Sequence, residues 1–508
     1  MFFSTQPVST KPWPRYIVDA ATWNKCADAF AAGTHSLFGL WADSHLDNPA
    51  AGAEIHMAIY ENATHKLAVA TLPAPDGVFP SVARKHAPAA RLERTIMDMH
   101  GLRAEGAVDT RAWLDHGKWR QAQPLAVQPA PRGDVATAVA DYAFLPVDGE
   151  GLHEVPVGPI HAGIIEPGHF RFSANGEAVV RLEEKLGYVH KGIEKLFIGA
   201  DIARGAKLAG RISGDSTVAY AFAYARAVEQ ATGTVAPPRA LYLRALMAEL
   251  ERIANHFGDV GAICNDAAFA FMLAHTGILR EETLQLCHAL FGHRLMMDVI
   301  VPGGVTADID AAGADKVRAW MAAAEKRFDK LMRIYDDAAS LKDRTNNTGH
   351  VSRKLVDRFG AGGYVGRASG RAFDARKNLP YAPYDTLNFD MPVLHTGDVN
   401  ARLWIRRIEI AQSFAMIAQL LDAMPAGALC APVAATTAGE GIGVVEAFRG
   451  DVLVWLRLGA DGNIARCHPR DASWFQWPLL EASIENNIIA DFPLCNKSFN
   501  CSYAGHDL

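Results

Sequence analysis

The chain has 508 residues, half of them hydrophobic, so it can bury a large core and is expected to contain at least two domains. Its formal net charge of −6 gives no basic surplus and argues against nucleic acid as a partner. Seven scattered cysteines are typical of reduced thiols and not of a disulfide framework. The N-terminal residues lack the pattern of a signal peptide. No segment reaches the roughly 18 apolar residues of a transmembrane helix.

Residues 1–120 predict a small α+β domain. The runs 56–60 and 66–70 are rich in β-branched and aromatic residues and predict strands. A helix is predicted over 83–99. Four prolines among alanines in residues 121–150 indicate a linker between domains.

Residues 151–508 predict a second, mainly helical domain. In residues 239–261 the apolar side chains recur at alternating three- and four-residue spacing, as on one face of a helix. Two further long helices and two β-hairpins are predicted at 308–339, 403–424, 170–182 (with Asn175-Gly176 in its turn) and 441–458. The predicted fold class is α+β: a small α+β domain, then a bundle of long helices with peripheral β-hairpins.

Several short motifs occur in a fixed order along the second domain, namely Glu166–Arg171, Gly187–Lys195, Arg211–Tyr220, Glu251–His256, Pro302–Val305, Arg367–Gly370, Pro380–Asp385 and Glu446–Gly450. They resemble the superfamily that joins membrane-bound nickel–iron hydrogenase large subunits to the quinone-site large subunit of respiratory complex I. The resemblance covers roughly 155–508. Upstream, Glu93–Gly101 is similar to a signature of the smaller complex I partner subunit. That subunit is fused to the large one in several bacterial complexes and in the formate hydrogenlyase type.

The segment Arg211–Tyr220 stands where hydrogenase large subunits carry Arg-x-Cys-Gly-x-Cys-x-x-x-His. Ser213 and Ser216 replace the two cysteines, and Tyr220 replaces the histidine. Near the C-terminus, Ser498 and Cys501 stand at the second cysteine pair. A neutral hydroxyl cannot replace a thiolate on a soft metal, so the sequence predicts no metal ligands and no nickel–iron site.

The complex I resemblance implies a quinone held by a histidine of the first hairpin loop and a tyrosine of the next motif. Gly214 stands at the tyrosine position, so it offers only a backbone N–H. His161 and His169 are the candidate histidines, although neither is a clean match. Asp266 stands where a carboxylate supporting that histidine is expected. These departures argue against a standard quinone pair, and no cofactor bound covalently or by thiolates is expected.

A set of polar residues is predicted to converge on one cavity and to exchange protons there: Glu166, His169, Arg211, Asp215, His256 and Asp266. Glu166 resembles the acid that serves as a proton gate in the hydrogenases. Arg211 is expected to be buried, with Asp215 or Asp266 within salt-bridge reach. The alternative is that these ion pairs only hold helices together.

The resemblance implies a subunit of a membrane-associated oxidoreductase complex, of the NADH-quinone oxidoreductase and hydrogenase type, that couples electron transfer to proton or ion movement. It would lie peripherally on the cytoplasmic face of the inner membrane. Its partners would be an iron–sulfur small subunit and antiporter-like membrane subunits. Two alternatives stay open: a true nickel–iron hydrogenase subunit, and a non-catalytic coupling or scaffold subunit.

Overall fold

A computed structural model describes residues 3, 6–8, 11–132, 142–161, 165–434 and 438–508. Its first part contains strands and two helices: β1 (Arg15–Ile17), α1 (Ala20–Ala31), β2 (His35–Asp43), β3 (Ala53–Glu61), β4 (Lys66–Ala74), β5 (Val78–Pro80), α2 (Ala90–His100), β6 (Arg103–Glu105), β7 (Gln121–Ala122) and β8 (Ala130–Pro131). The two predicted strands fall within β3 and β4, and the predicted helix corresponds to α2 with the short 3₁₀ turn before it.

The N-terminal sheet has the strand order β1-β4-β3-β2, with β1 parallel to β4 and the other pairs antiparallel. Helix α2 ends at Gly101, whose φ of 71° is left-handed. Glycine adopts this conformation without the penalty that a Cβ brings, so it stops the helix at the predicted place.

The second part is built around long helices: β9 (Leu152–Val157), β10 (His169–Asn175), β11 (Ala178–Lys185), α3 (Ile193–Phe197), α4 (Ile202–Ala209), α5 (Thr217–Thr232), α6 (Pro238–Asp266), α7 (Ala270–Phe291), β12 (Ile300–Val301), β13 (Gly304–Val305), α8 (Ala311–Asp337), α9 (Ala339–Thr345), α10 (Arg353–Phe359), α11 (Gly363–Ala368), α12 (Ala375–Asn378), α13 (Val399–Asp422), β14 (Gly439–Ala447), β15 (Gly450–Leu458), β16 (Ile464–Arg470), α14 (Ser473–Ile484), α15 (Phe492–Phe499) and α16 (Tyr503–Asp507). The mixed α+β class is confirmed. No described helix is both long and apolar enough to cross a membrane.

Helix α6 is the centre of the bundle and packs against α7 and α13. Its predicted apolar stripe is buried, and the helix continues beyond the predicted end at residue 261 to Asp266. Charged residues of α6 are buried as well, because they find partners on neighbouring elements. The axis of the bundle therefore carries both the apolar core and a polar interior.

The glycine-rich start of β14 allows α5 to pack closely on the sheet β14-β15-β16. A Cβ at Gly441 would lie 2.0 Å from the carbonyl oxygen of Ala227, and one at Gly443 would lie 1.9 Å from that of Ala223. These glycines are thus packing residues of a strand. The close contact fixes α5, whose N-terminus adjoins the 211–216 turn.

Aromatic side chains join the N-terminal sheet to the sheet of the second part. The ring of Trp41 lies 5.7 Å from that of Trp455 and 5.3 Å from the imidazole of His468. At the edge of this contact, the Arg457 guanidinium donates to Asp43 at 2.7 Å. The two parts therefore pack against each other through buried apolar residues.

Candidate functional site

The turn between α4 and α5, called the serine turn below, carries Ser213 and Ser216, which stand where the hydrogenase motif has its first two cysteines. The hydroxyls of Ser213 and Ser216 donate to Oδ1 of Asp215 at 2.7 and 3.2 Å. The Arg449 guanidinium donates to both oxygens of the same carboxylate, at 2.9 and 2.5 Å. Burial opposes ionisation of Asp215, but Arg449 and the serine hydroxyls together hold its pKa well below the ordinary value. Both serine hydroxyls are thus committed to a carboxylate.

The C-terminal segment carries Ser498 and Cys501, which stand at the second cysteine pair of the hydrogenase motif. The Ser498 hydroxyl accepts from Nε of Arg402 at 2.9 Å and donates to the carbonyl oxygen of Cys495 at 2.7 Å. The Cys501 thiol faces Oε1 of Gln476 at 3.9 Å. Burial raises the pKa of this thiol well above its ordinary value, so it is a neutral thiol at physiological pH.

Tyr220, which stands at the position of the motif histidine, is also held by a hydrogen bond. Tyr220 is fully buried, and its hydroxyl donates to Oδ2 of Asp471 at 2.5 Å. Burial and the neighbouring carboxylate raise the pKa of Tyr220 well above its ordinary value. Within the described ranges, no group of three or more His, Cys, Asp and Glu side chains is placed to hold a metal ion. The residues present do not fit a nickel–iron centre.

Glu166 lies close enough to the serine turn to interact electrostatically with Asp215. Its carboxylate accepts from the backbone N–H of Ala504 at 3.1 Å. Partial burial raises the pKa of Glu166, and the negative charge of Asp215 adds to the rise, while Lys191 and Arg449 act against it. Two members of the predicted cluster, Glu166 and Asp215, are therefore electrostatic neighbours, and one of them has an elevated pKa.

The prediction for Arg211 is wrong. Its side chain is 43% exposed and forms a bidentate pair with Asp298, at 2.6 and 2.8 Å. Neither Asp215 nor Asp266 pairs with it, because Asp215 is already compensated by Arg449. Arg211 can face solvent, so it needs no buried partner. It belongs to the surface and not to a cavity.

His256 is buried away from the serine turn. Its Nε2 lies 2.8 Å from Oε2 of Glu409, which also pairs with Arg367 and lies 3.7 Å from Arg252. Burial lowers the pKa of His256, although Glu409 partly offsets this effect. The histidine is thus one member of a compensated ion-pair network in the bundle core.

The two candidate quinone histidines do not face the serine turn together. Nδ1 of His169 lies 3.3 Å from the carbonyl oxygen of Gly158, and the imidazole packs 5.2 Å from the ring of Phe144. His169 lines a different cavity of about 1100 Å³, together with Lys185 and other residues of the N-terminal side. The imidazole of His161 packs 5.6 Å from the ring of Phe170.

The remaining quinone candidates lie apart as well. Gly214 is exposed in the serine turn, and nothing within 4 Å would meet a Cβ there. Asp266 ends α6, where its carboxylate is hydrogen-bonded to Asn265. Burial raises the pKa of Asp266, and Lys497 opposes the rise. A histidine–tyrosine quinone pair does not fit these residues.

Glu251 is a site residue that sequence reasoning missed. It is buried on α6 and accepts from the backbone N–H groups of Val218 and Ala219, at 2.7 and 3.1 Å. Burial raises its pKa to about 8, and the charge of Asp215 adds to the rise. Its place in the motif Glu251–His256 was visible in the sequence. The sequence could not show that this carboxylate has no cationic partner among the described residues.

Both parts of the chain match known protein families. Residues 16–132 match the family described as respiratory-chain NADH dehydrogenase, 30 Kd subunit, and residues 266–438 match the 49 Kd subunit of the same enzyme. The chain is 33% identical to the carbon monoxide-induced hydrogenase of Rhodospirillum rubrum over 68% of this chain and 97% of that protein. The chain belongs to the family of complex I 49 Kd subunits and related hydrogenase large subunits. A 30 Kd subunit-like region is fused before it.

Two further relatives agree with this assignment. An NADH-quinone oxidoreductase subunit of Desulfotalea psychrophila is 31% identical over 66% of this chain and 91% of that protein. Among solved structures, a chain of the membrane-bound sulfane sulfur reductase, an archaeal respiratory membrane complex, matches with a TM-score of 0.67 and 26% identity. That match covers 72% of this chain and all of the other. The protein is thus an oxidoreductase subunit of a respiratory complex of this family.

Proposed function

We propose that this subunit couples electron transfer to proton or ion movement without a nickel–iron site of its own. The observation that carries the proposal is the commitment of all four ligand positions to other protein groups. Ser213 and Ser216 donate to Asp215, Ser498 lies between Arg402 and a carbonyl oxygen, and Cys501 is a neutral buried thiol. A soft metal requires thiolates that these residues do not supply.

The electron acceptor is then a molecule supplied from outside the chain, and the relatives suggest two kinds. The Desulfotalea relative is named for quinone, and the similar archaeal complex is named for sulfane sulfur. We propose a quinone or another small acceptor. An iron–sulfur small subunit would deliver the electrons, and antiporter-like membrane subunits would move the ions. The subunit would lie peripherally on the cytoplasmic face of the inner membrane.

The metal content of the purified complex tests the first part. Protein made together with the products of its neighbouring genes is expected to contain no stoichiometric nickel by elemental analysis. A catalytically active preparation of the Rhodospirillum relative serves as the positive control. Near-stoichiometric nickel would overturn the proposal and restore the hydrogenase alternative.

The role of the site itself is tested by Glu166→Gln. The amide keeps the shape and the hydrogen bond from Ala504 but cannot titrate. Coupling in membranes with all partners present is expected to be lost, while assembly is retained. Glu154→Gln, a change at an exposed carboxylate of β9, is the matched control. Unchanged coupling in the Glu166 variant would leave the scaffold alternative standing.

We also propose that residues 1–120 and 151–508 are separate domains joined by 121–150. Apart from the short β7–β8 ladder, the described residues of this segment form no helix or strand, and exposed segments of this kind are preferred sites of proteolysis. Limited proteolysis is expected to cut first within 121–150. The two fragments should stay associated, because Trp41 and Trp455 are buried between them. A first cut deep inside either part would contradict this boundary.

A further inference from the structure

Glu251 is a buried carboxyl group, and no described residue pairs with it as a cation. Its hydrogen bonds come from the backbone N–H groups of Val218 and Ala219 in the first turn of α5. The adjacent Arg252 points elsewhere and donates to Glu249 and to the carbonyl oxygens of Glu446 and Ala447. An uncompensated carboxylate in such surroundings is costly, so the protonated form is favoured.

A narrow cavity connects this carboxyl group with the surface. Its lining runs from buried Glu251 and Cys287 to Arg294, whose side chain is 47% exposed. Asp215 and Asn255 form part of the same wall. The free volume of about 10 Å³ is close to the minimum for one water molecule. The cavity therefore offers a short route between Glu251 and solvent, with polar side chains (Asp215, Asn255, Arg280 and Arg294) along an otherwise apolar wall.

The charged and titratable groups that face Glu251 come from its own helix, from the serine turn, and from α7 with the segment after it: Arg252, Asp215, Arg280, Cys287 and Arg294. Most of them are fixed in charge. Asp215 is paired with Arg449, Arg294 is paired with Glu281, and burial raises the pKa of Cys287 to about 12. Within this group, Glu251 is the residue whose charge can change near neutral pH.

The alternative for Glu251 is a purely structural role as a helix cap. It accepts from two N–H groups at the start of α5, and a helix N-terminus favours a negative charge. That role requires only an acceptor oxygen, which a glutamine also supplies. The burial of the carboxyl group outweighs the N–H groups, because its pKa is raised to about 8. At neutral pH, Glu251 therefore accepts these hydrogen bonds largely as a protonated, neutral carboxyl group.

We propose that Glu251 is a proton-loading group of the site. It releases its proton through the cavity to solvent, leaving a carboxylate, and takes a proton back when negative charge increases on the Asp215 side. The proton leaves and returns through the same opening, and no electron resides on Glu251. This inference rests on the proposed function, since a change of charge near Asp215 must come from electron transfer.

The protonation state can be measured on the purified full-length chain, without partners. The infrared carbonyl band of a protonated carboxyl is expected in the difference between wild type and Glu251→Gln at neutral pH. The band should disappear with a midpoint near pH 8. Glu93→Gln is the matched control: Glu93 is also buried against backbone N–H groups, but its pKa is raised only to about 6. Absence of the Glu251 band at neutral pH would overturn the proposal.

The second measurement uses the complex in membranes. Glu251→Gln is expected to reduce the number of ions moved per electron about ten-fold, while Glu251→Asp restores part of it. A structural cap predicts instead that Gln is tolerated and Asp is not, and that result would overturn the inference. If Glu166→Gln abolishes coupling and Glu251→Gln does not, only this inference fails. If neither changes coupling, the proposed function fails as well.

Discussion

Two charged clusters of the helix bundle differ in how their carboxylates are compensated. In the inner cluster (Glu249, Arg252, His256, Arg367 and Glu409), each carboxylate contacts at least one guanidinium. In the outer cluster (Glu166, Asp215, Glu251 and Arg449), only Asp215 has such a partner among the residues that the structure describes. Glu166 and Glu251 accept from backbone N–H groups instead.

This difference separates residues that hold the fold from residues that can change charge. Burial opposes ionisation in both clusters. In the inner one the guanidinium groups prevail and lower the pKa of Glu409 well below its ordinary value. In the outer one burial prevails at Glu166 and Glu251, and their pKa values rise. Among the carboxylates of these two clusters, proton exchange is therefore expected at Glu166 and Glu251.

The largest effect is expected from Glu409→Gln in the inner cluster. It leaves Arg367 and Arg252 with less compensating charge in a site without solvent. Breaking a buried pair costs about 3–5 kcal/mol, and this carboxylate serves several partners, so a loss of about 5 kcal/mol is expected. The shift of the thermal unfolding midpoint measures it. A shift of less than a few degrees would contradict the structural role.

A smaller effect is expected from Arg449→Met in the outer cluster. It removes the counter-ion of Asp215, whose side chain is 33% exposed and still accepts from two serines. The expected cost is about 2–3 kcal/mol, below the range for a fully buried pair. Adding Asp215→Asn should recover most of it. Failure of the double variant to recover stability would show that Arg449 acts through its other contacts.

The pH dependence of stability gives the third test. Because the pKa of Glu251 is raised from 4.5 to about 8 on folding, the folded state binds more protons than the unfolded state between these pH values. This group therefore lowers stability as the pH rises through that window, by at most about 1.4 kcal/mol per pH unit. Glu251→Gln should remove this loss. Parallel melting curves of the two proteins across the window would contradict it.

The smallest effect is expected from Arg211→Ala. Its pair with Asp298 lies at the surface, where ion pairs contribute about 0–1 kcal/mol. Coupling should be unchanged as well, because the Arg211 guanidinium is bound to Asp298 and not to the outer cluster. Thermal melting and the coupling assay check both points. A loss of coupling would contradict the surface role of Arg211 and would show that this residue contributes to the site.

The elements were largely predictable because their signals are local. The apolar spacing on α6, the strands of the β14–β15 hairpin and the glycine that ends α2 follow from residues adjacent in sequence. Glu166 and Asp215 lie near each other as well, and both belong to motifs that the sequence shows. The partner of Arg211 was not predictable, since Asp298 is 87 residues away and carries no distinguishing pattern.

The protonation state of Glu251 could not be predicted from the sequence for a related reason. Its neighbour Arg252 suggests a local ion pair, but the guanidinium turns toward Glu249 and the carbonyl oxygens of the following sheet. His256 was predicted to line the cavity, but its partner is Glu409 on the neighbouring helix α13, 153 residues away in the sequence. Long-range pairing decides which buried charges are compensated, and the sequence pattern does not contain it.

The hydrogen bonds of the serine turn would oppose the engineering of a soft-metal site at this place. Cysteines at 213, 216 and 498 would supply sulfur atoms but would also place two of them against the Asp215 carboxylate. Replacing Asp215 in turn would strand the Arg449 guanidinium. The Asp215–Arg449 ion pair therefore means that a metal site could be engineered here only by changing both partners together.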